Sequence, residues 1–136
     1  MNETWYAEIE SKVFTIVKTR MNKKYKEKYP TMNFESDDTN RVPTKSPTIY
    51  FHEISSPELA RNLENNVVNM VSENIEIEVY TLKDKAECPK ISAYASAEMK
   101  ALGFSIIQQL PPLKDEDWWR CVMRFNRPIG SGDKLQ

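Results

Sequence analysis

The sequence predicts an α+β domain, with a central mostly antiparallel or mixed β-sheet and two main helices packed on it. Apolar residues recur at steps of three or four in two segments, one near the amino terminus and one ending at Gly103. Between and after them apolar and polar residues alternate with period two, most clearly in Ile75-Glu76-Ile77-Glu78-Val79-Tyr80. A chain of 136 residues that is 40% hydrophobic, with only three glycines, is sized for one core, burying roughly two-thirds of the surface its unfolded form exposes. Residues 1–127 are expected as the single domain, with 36–47 a long loop and 128–136 a flexible tail.

Charge removes one class of function. Nineteen basic against twenty acidic side chains leave a net charge of -1, which gives no global field for gathering phosphates or anionic lipid. Cys88 and Cys121 could pair in principle, but in a core-forming chain without a secretory leader they are expected to be reduced, buried thiols. The first residues show no basic region followed by an apolar block, and no apolar run approaches the ~20 residues needed to span a bilayer. The protein is therefore expected in the cytoplasm where it is made, leaving only by lysis, with no membrane partner.

The first helix is expected from about Glu3 to Lys26, because Trp5, Ile9, Val13, Ile16, Val17 and Met21 fall on one face. Its far end carries Lys18, Arg20, Lys23, Lys24, Lys26 and Lys28, cations that complement the negative end of the helix dipole. A docking patch for an acidic surface or for passing DNA is the alternative reading of the same cluster. Pro30 ends the pattern, and a short strand through Met32-Asn33-Phe34 follows. The next strand, Thr48 to Ile54, sets Ile49 and Phe51 on one side and Tyr50 and His52 on the other. His52, the only histidine, lacks ligand partners at metal spacing and is read as structural or surface-lying.

Residues 57–65 are expected as a short turn or loop, the competing reading being a helix that starts at Ser56-Pro57-Glu58 and reaches about Ser72. A strand of about fifteen residues then begins near Asn66. Its excess over the usual five or six should project beyond the sheet, or bend at Ser72-Glu73-Asn74, and offer an edge to another copy of the chain. The second helix is expected from about Cys88 to the αL stop at Gly103, with Ile91, Ala95, Met99 and Leu102 as its core stripe. Phe104 starts another strand that Pro111-Pro112 ends, and Leu113 to Asp117 reads as an acidic loop. The last strand, about Trp118 to Asn126, should bury Trp119, Cys121, Met123 and Phe125 and leave Trp118, Arg120, Val122 and Arg124 on the other side. The favoured role for Arg120, Arg124 and Arg127 is cross-strand pairing with Glu76 and Glu78; stacking with a tryptophan and phosphate contact is the alternative.

The sequence holds no Gly-rich phosphate loop, no paired-cysteine metal spacing and no nucleophile elbow, so neither an enzyme nor a cofactor is expected.

The order of elements, with Ile75-Glu-Ile-Glu-Val-Tyr-Thr-Leu82, Met99-Lys-Ala-Leu-Gly-Phe104 and Arg120-Cys-Val-Met-Arg-Phe-Asn-Arg-Pro-Ile-Gly130, resembles the tail terminator (tail completion) proteins of long-tailed bacteriophages. The resemblance covers nearly the whole chain. It departs at Pro89, which delays the second helix, and at the heavy Trp118-Trp119 pair. It implies a structural virion protein of the tail or neck, assembled in the bacterial host cytoplasm. Such a protein forms a homo-oligomeric, hexameric ring that caps the tail tube, ends its polymerisation and joins it to the head. Its partners would be further copies of itself, the tail tube protein, head-tail connector or neck proteins, and genome DNA passing through the channel without sequence-specific binding. A head-side adaptor or stopper and a small nucleic-acid-binding module are the alternatives.

A closed ring needs two different patches per subunit. Between Glu53 and Glu87 eight acids stand against three bases, whereas Lys18 to Lys28 and Arg120 to Arg127 are basic. Glu76, Glu78, Tyr80, Arg120, Arg124 and Arg127 are accordingly the subunit-interface candidates. Lys23, Lys24, Asp37, Asp38 and Arg41 are the partner-docking candidates.

Overall fold

The computed structural model describes residues 5–36, 43–62, 67–82 and 85–135. It is a single α+β domain: a seven-stranded mixed sheet with two helices on one side. A 3-10 turn at Trp5–Glu8 leads into α1 (Ile9–Tyr25). The strands are β1 (Asn33–Glu35), β2 (Thr48–Ser55), β3 (Glu58–Asn62), β4 (Val67–Thr81), β5 (Ser105–Gln109), β6 (Leu113–Asp115) and β7 (Trp118–Gly130), with α2 (Glu87–Ala101) between β4 and β5. The sheet order is β1-β2-β4-β7-β5, with β3 also on β4 and β6 also on β7. Among the described residues only β1 with β2 is parallel.

Alternation decides which side each residue takes. Ile49, Phe51, Val71, Ile75, Ile77, Val79, Cys121, Met123, Phe125 and Ile129 are buried under the helices. Against them α1 sets Ile9, Val13, Val17 and Met21, and α2 sets Cys88, Ile91, Ala95 and Met99. The first helix lies towards β2, where Phe14 and Phe51 meet edge to face with centroids 5.6 Å apart; α2 lies across β4, β7 and β5. The helices join through the stacked Tyr25 and Tyr94 rings, 4.1 Å between centroids, and a 2.5 Å bond from Lys24 Nζ to Glu98 Oε2. The amino-terminal end is pinned to the sheet where Trp5 Nε1 donates to the Val68 carbonyl at 2.9 Å.

The expected loop at 57–65 is corrected in its first half: Glu58–Asn62 is strand β3. Pairing of β2 with β4 ends at Asn74, so the backbone groups of Val67 to Val71 would have no partner on that side. Strand β3 follows β2 in the same direction, antiparallel to β4, and supplies them, with register irregularities beside Ala60. The expectation that β4 offers an edge to another copy is corrected by the same pairing. Strand β4 has the expected fifteen residues, but β3 flanks one side of its distal half and β7 the other, in continuous register from Thr81↔Trp119 to Met70↔Gly130. It is an interior strand, and the free edges lie elsewhere.

Two further expectations change near the carboxy terminus. Leu113–Asp115, read as acidic loop, is strand β6, joined to β7 by the two-residue turn Glu116-Asp117. The segment from Pro128, read as flexible tail, instead extends β7 through Gly130, and beyond it Leu135 is only 3% exposed. The ladder to β4 still has acceptors there, down to the 2.9 Å bond from Ser131 N–H to the Asn69 carbonyl. Within the loop expected at 36–47, residues 37–42 lie outside the described residues.

Candidate functional site

The helices cover one side of the sheet, and the other side carries the charged and aromatic residues that alternation places there. The register sets His52 beside Glu76, Glu76 beside Arg124, and Arg124 beside Gln108, across four strands. Arg124 Nε donates to Glu76 Oε2 at 3.2 Å and its Nη1 to Gln108 Oε1 at 3.1 Å, while His52 Nε2 lies 3.8 Å from the same Glu76 oxygen. One step along, Arg120 donates to Glu78. Asn126 Nδ2 bonds Ser72 Oγ at 2.6 Å and Asn74 Oδ1 at 3.0 Å, closing a polar rung at the other end.

Aromatic rings flank this ladder. Tyr50, Tyr80 and Trp118 form an edge-to-face row, with centroids 5.5 Å and 6.4 Å apart. Burial, and then the Glu78 carboxylate, push the Tyr80 hydroxyl up to about 12, so it stays a neutral donor at any ordinary pH. Burial alone would lower Arg120, but the Glu78 carboxylate outweighs that and holds its guanidinium above the usual range. With no helix above it, this side still buries Tyr50, Glu76 and Val122 to 7%, 8% and 5% exposure, because long neighbouring side chains lie over the strands.

Of the residues singled out from the sequence, the structure brings Glu76, Glu78, Tyr80, Arg120 and Arg124 together on this uncovered side. Their charges answer one another within the chain, as the cross-strand reading expected. For Arg127 the expected pairing with Glu76 or Glu78 is corrected: it shares the parity of Phe125, stands on the helix-covered side and bonds Asp133 at 2.5 Å beside Gly103. Lys24 is committed to the buried carboxylate of Glu98, and Lys23 is exposed near the end of α1. Asp37, Asp38 and Arg41 lie outside the described residues.

One constellation went unread in the sequence, and a second was read only as a possible pairing. Glu73, on the helix-covered side, is fully buried, and neither of its oxygens makes a well-formed hydrogen bond. Burial, then the charge of neighbouring Glu53 and, more weakly, of Glu10 on α1, push its carboxyl up to about 9. The signal was present: Glu73 shares its parity with Val71 and Ile75, so the alternation points it inward. The second is the meeting of Cys88 with Cys121, which lie far apart in the chain.

No protein-family model matches this chain, and no curated protein is detectably similar to it. Among the described residues no group of His, Cys, Asp or Glu is placed to hold a metal ion, and no helix is long and apolar enough to cross a membrane. A shallow depression on α1 is lined by Ser11, Lys12, Thr15, Ile16 and Lys134, which bring together no acid-base pair. Leu82, just past the end of β4, is 50% exposed, and the other exposed large apolar side chains among the described residues fall at two opposite margins of the sheet. Ile54, Leu59 and Met70 are 45%, 54% and 37% exposed on the β2-β3-β4 side; Ile107, Leu110 and Leu113 are 59%, 36% and 52% exposed on the β5-β6 side.

Proposed function

We propose that this chain is a structural subunit of a phage tail-terminator type, assembling head to tail into a ring that caps a tail tube and joins it to the neck. The observation that carries the reading is the placing of two different exposed apolar clusters on opposite margins of one sheet. A heterologous interface needs unlike patches on each copy, and Ile54, Leu59 and Met70 facing a neighbour's Ile107, Leu110 and Leu113 would supply them. The α+β architecture, a central sheet with helices packed on it, is of the kind the resemblance implies.

In-chain pairing of Glu76 with Arg124 and Glu78 with Arg120 moves the interface away from those charges. A salt-insensitive assembly held by apolar contact is therefore expected, in place of one held by an acidic strand against a basic neighbour. The deciding experiment is mass measurement of the purified protein with negative-stain imaging, alone and with isolated tail tubes. Six-fold rings that bind tube ends support the reading. A monomer at high concentration with no affinity for tube ends would refute it, and salt-dependent DNA binding by that monomer would favour a nucleic-acid module through the Lys18 to Lys28 cluster. Binding to portal complexes instead of tubes would place the ring on the head side.

A further inference from the structure

We propose that Cys88 and Cys121 form an oxidation site, at which a small disulfide or a peroxide converts two thiols into a disulfide fastening the first turn of α2 to β7 within the native fold. Both cysteines are free and buried, at 0% and 3% exposure. Their meeting is built by two independent pieces of geometry. Cys88 Sγ reaches down from α2 to the Val79 carbonyl, at 3.2 Å. Cys121 is the residue directly opposite Val79 in the β4–β7 ladder, on the strand side that α2 covers. The two thiols are thereby brought close enough to perturb one another's ionisation, with the hydroxyls of Thr81 and Ser92 near them.

The pair is unsymmetrical. Hydrogen bonding from Cys88 lowers Cys121 towards about 7, while Cys88 is raised as the proton donor. Either sulfur can attack first. On the route led by Cys121, with a small aliphatic disulfide, the Cys121 thiolate displaces one thiolate and forms a mixed disulfide. The Cys88 thiol then loses its proton and attacks the Cys121 sulfur, expelling the second thiolate. One disulfide is reduced to two thiols while one protein disulfide forms, and electrons and protons balance. With peroxide the first product on the same route is a Cys121 sulfenic acid, which Cys88 condenses with loss of water.

Access runs through the start of α2. Ala86 at its N-cap makes no side-chain cap bond, and Lys85 and Ala86 are exposed, so the first turn opens at far less cost than the domain unfolds. This inference does not rest on the assembly reading.

The test separates geometry from access. The full chain is refolded in a mixture of reduced and oxidised glutathione, acid-quenched and weighed intact; the same mixture is applied in about 8 M urea. The expected result is a monomer lighter by about 2 Da, favoured in native buffer by at least about tenfold over urea, reversed by dithiothreitol and absent in Cys88→Ala and Cys121→Ala. The oxidised protein should keep its far-ultraviolet dichroism and melt at a higher temperature than the reduced one. Equal disulfide formation in native buffer and urea, crosslinks only between chains, or an oxidised protein that melts earlier would each overturn the proposal.

Discussion

Glu73 shows what one misplaced charge does to a core. Its carboxyl, fully buried and beside Glu53, titrates at about 9, whereas an unfolded chain releases the same proton near 4.5. The folded state therefore holds the proton more tightly. Stability from this group is complete below about 4.5 and is lost progressively as pH rises towards about 9. Melting temperature of the wild type is expected to fall between pH 5 and 9, and Glu73→Gln to flatten that slope. At pH 8 the variant should gain on the order of 1–3 kcal/mol, read from thermal or urea denaturation. An unchanged slope in Glu73→Gln would place the pH dependence elsewhere. The Arg120–Glu78 pair is different in kind, because side-chain exposures of 35% and 17% leave it partly screened. A double-mutant cycle through Arg120→Ala and Glu78→Ala should return a coupling of only about 0.5–1 kcal/mol.

Turns and helix ends set the strength of whole elements. Helix α2 stops as Gly103 N–H bonds the Lys100 carbonyl at 2.9 Å and Phe104 N–H the Met99 carbonyl at 3.0 Å, with Met99 and Phe104 both buried beneath. Gly103 has φ 86°, and a Cβ there would stand 3.0 Å from Arg127 Nε, so Gly103→Ala should cost about 1–2 kcal/mol in urea denaturation. Glu116 is the reverse case. It holds φ 56° at the first position of the two-residue β6–β7 turn, and Glu116→Gly should stabilise by about 0.5–1 kcal/mol. The Gly103 stop and the alternation of β4 and β7 were legible because each is encoded by neighbouring residues. Strand β3 was not legible: Glu58–Asn62 has no alternation of its own and pairs because β4 has backbone groups left to satisfy. The carboxy-terminal segment was hidden for a similar reason, since Pro128 and Gly130 read as breakers while the ladder to Ser72 and Met70 holds them as strand. Among the site residues, parity made the pairing of Arg120 and Arg124 with the glutamates readable but not the separate place of Arg127, and the cysteines could be read only as a possible pair, because the packing of α2 on the sheet is what brings them together.

At the scale of the molecule, one sheet, two helices on one side and unlike apolar margins lead to a prediction about symmetry. If copies join head to tail, each interface uses the β2-β3-β4 margin of one copy and the β5-β6 margin of the next. Leu59→Asp spoils only the first and Ile107→Asp only the second, and exposures of 54% and 59% mean that neither change disturbs the core. Each variant alone is expected to remain a folded monomer, since every contact it attempts includes a spoiled margin. Mixed one to one, the two variants retain between them one sound margin of each kind. They should form heterodimers and stop there, because both outward-facing margins are then the spoiled ones. A two-fold interface made from a single margin behaves otherwise: one variant would still self-associate and mixing would add nothing. Native mass spectrometry of the two variants, separately and mixed, distinguishes these outcomes. Self-association of either variant alone would rule out the head-to-tail arrangement.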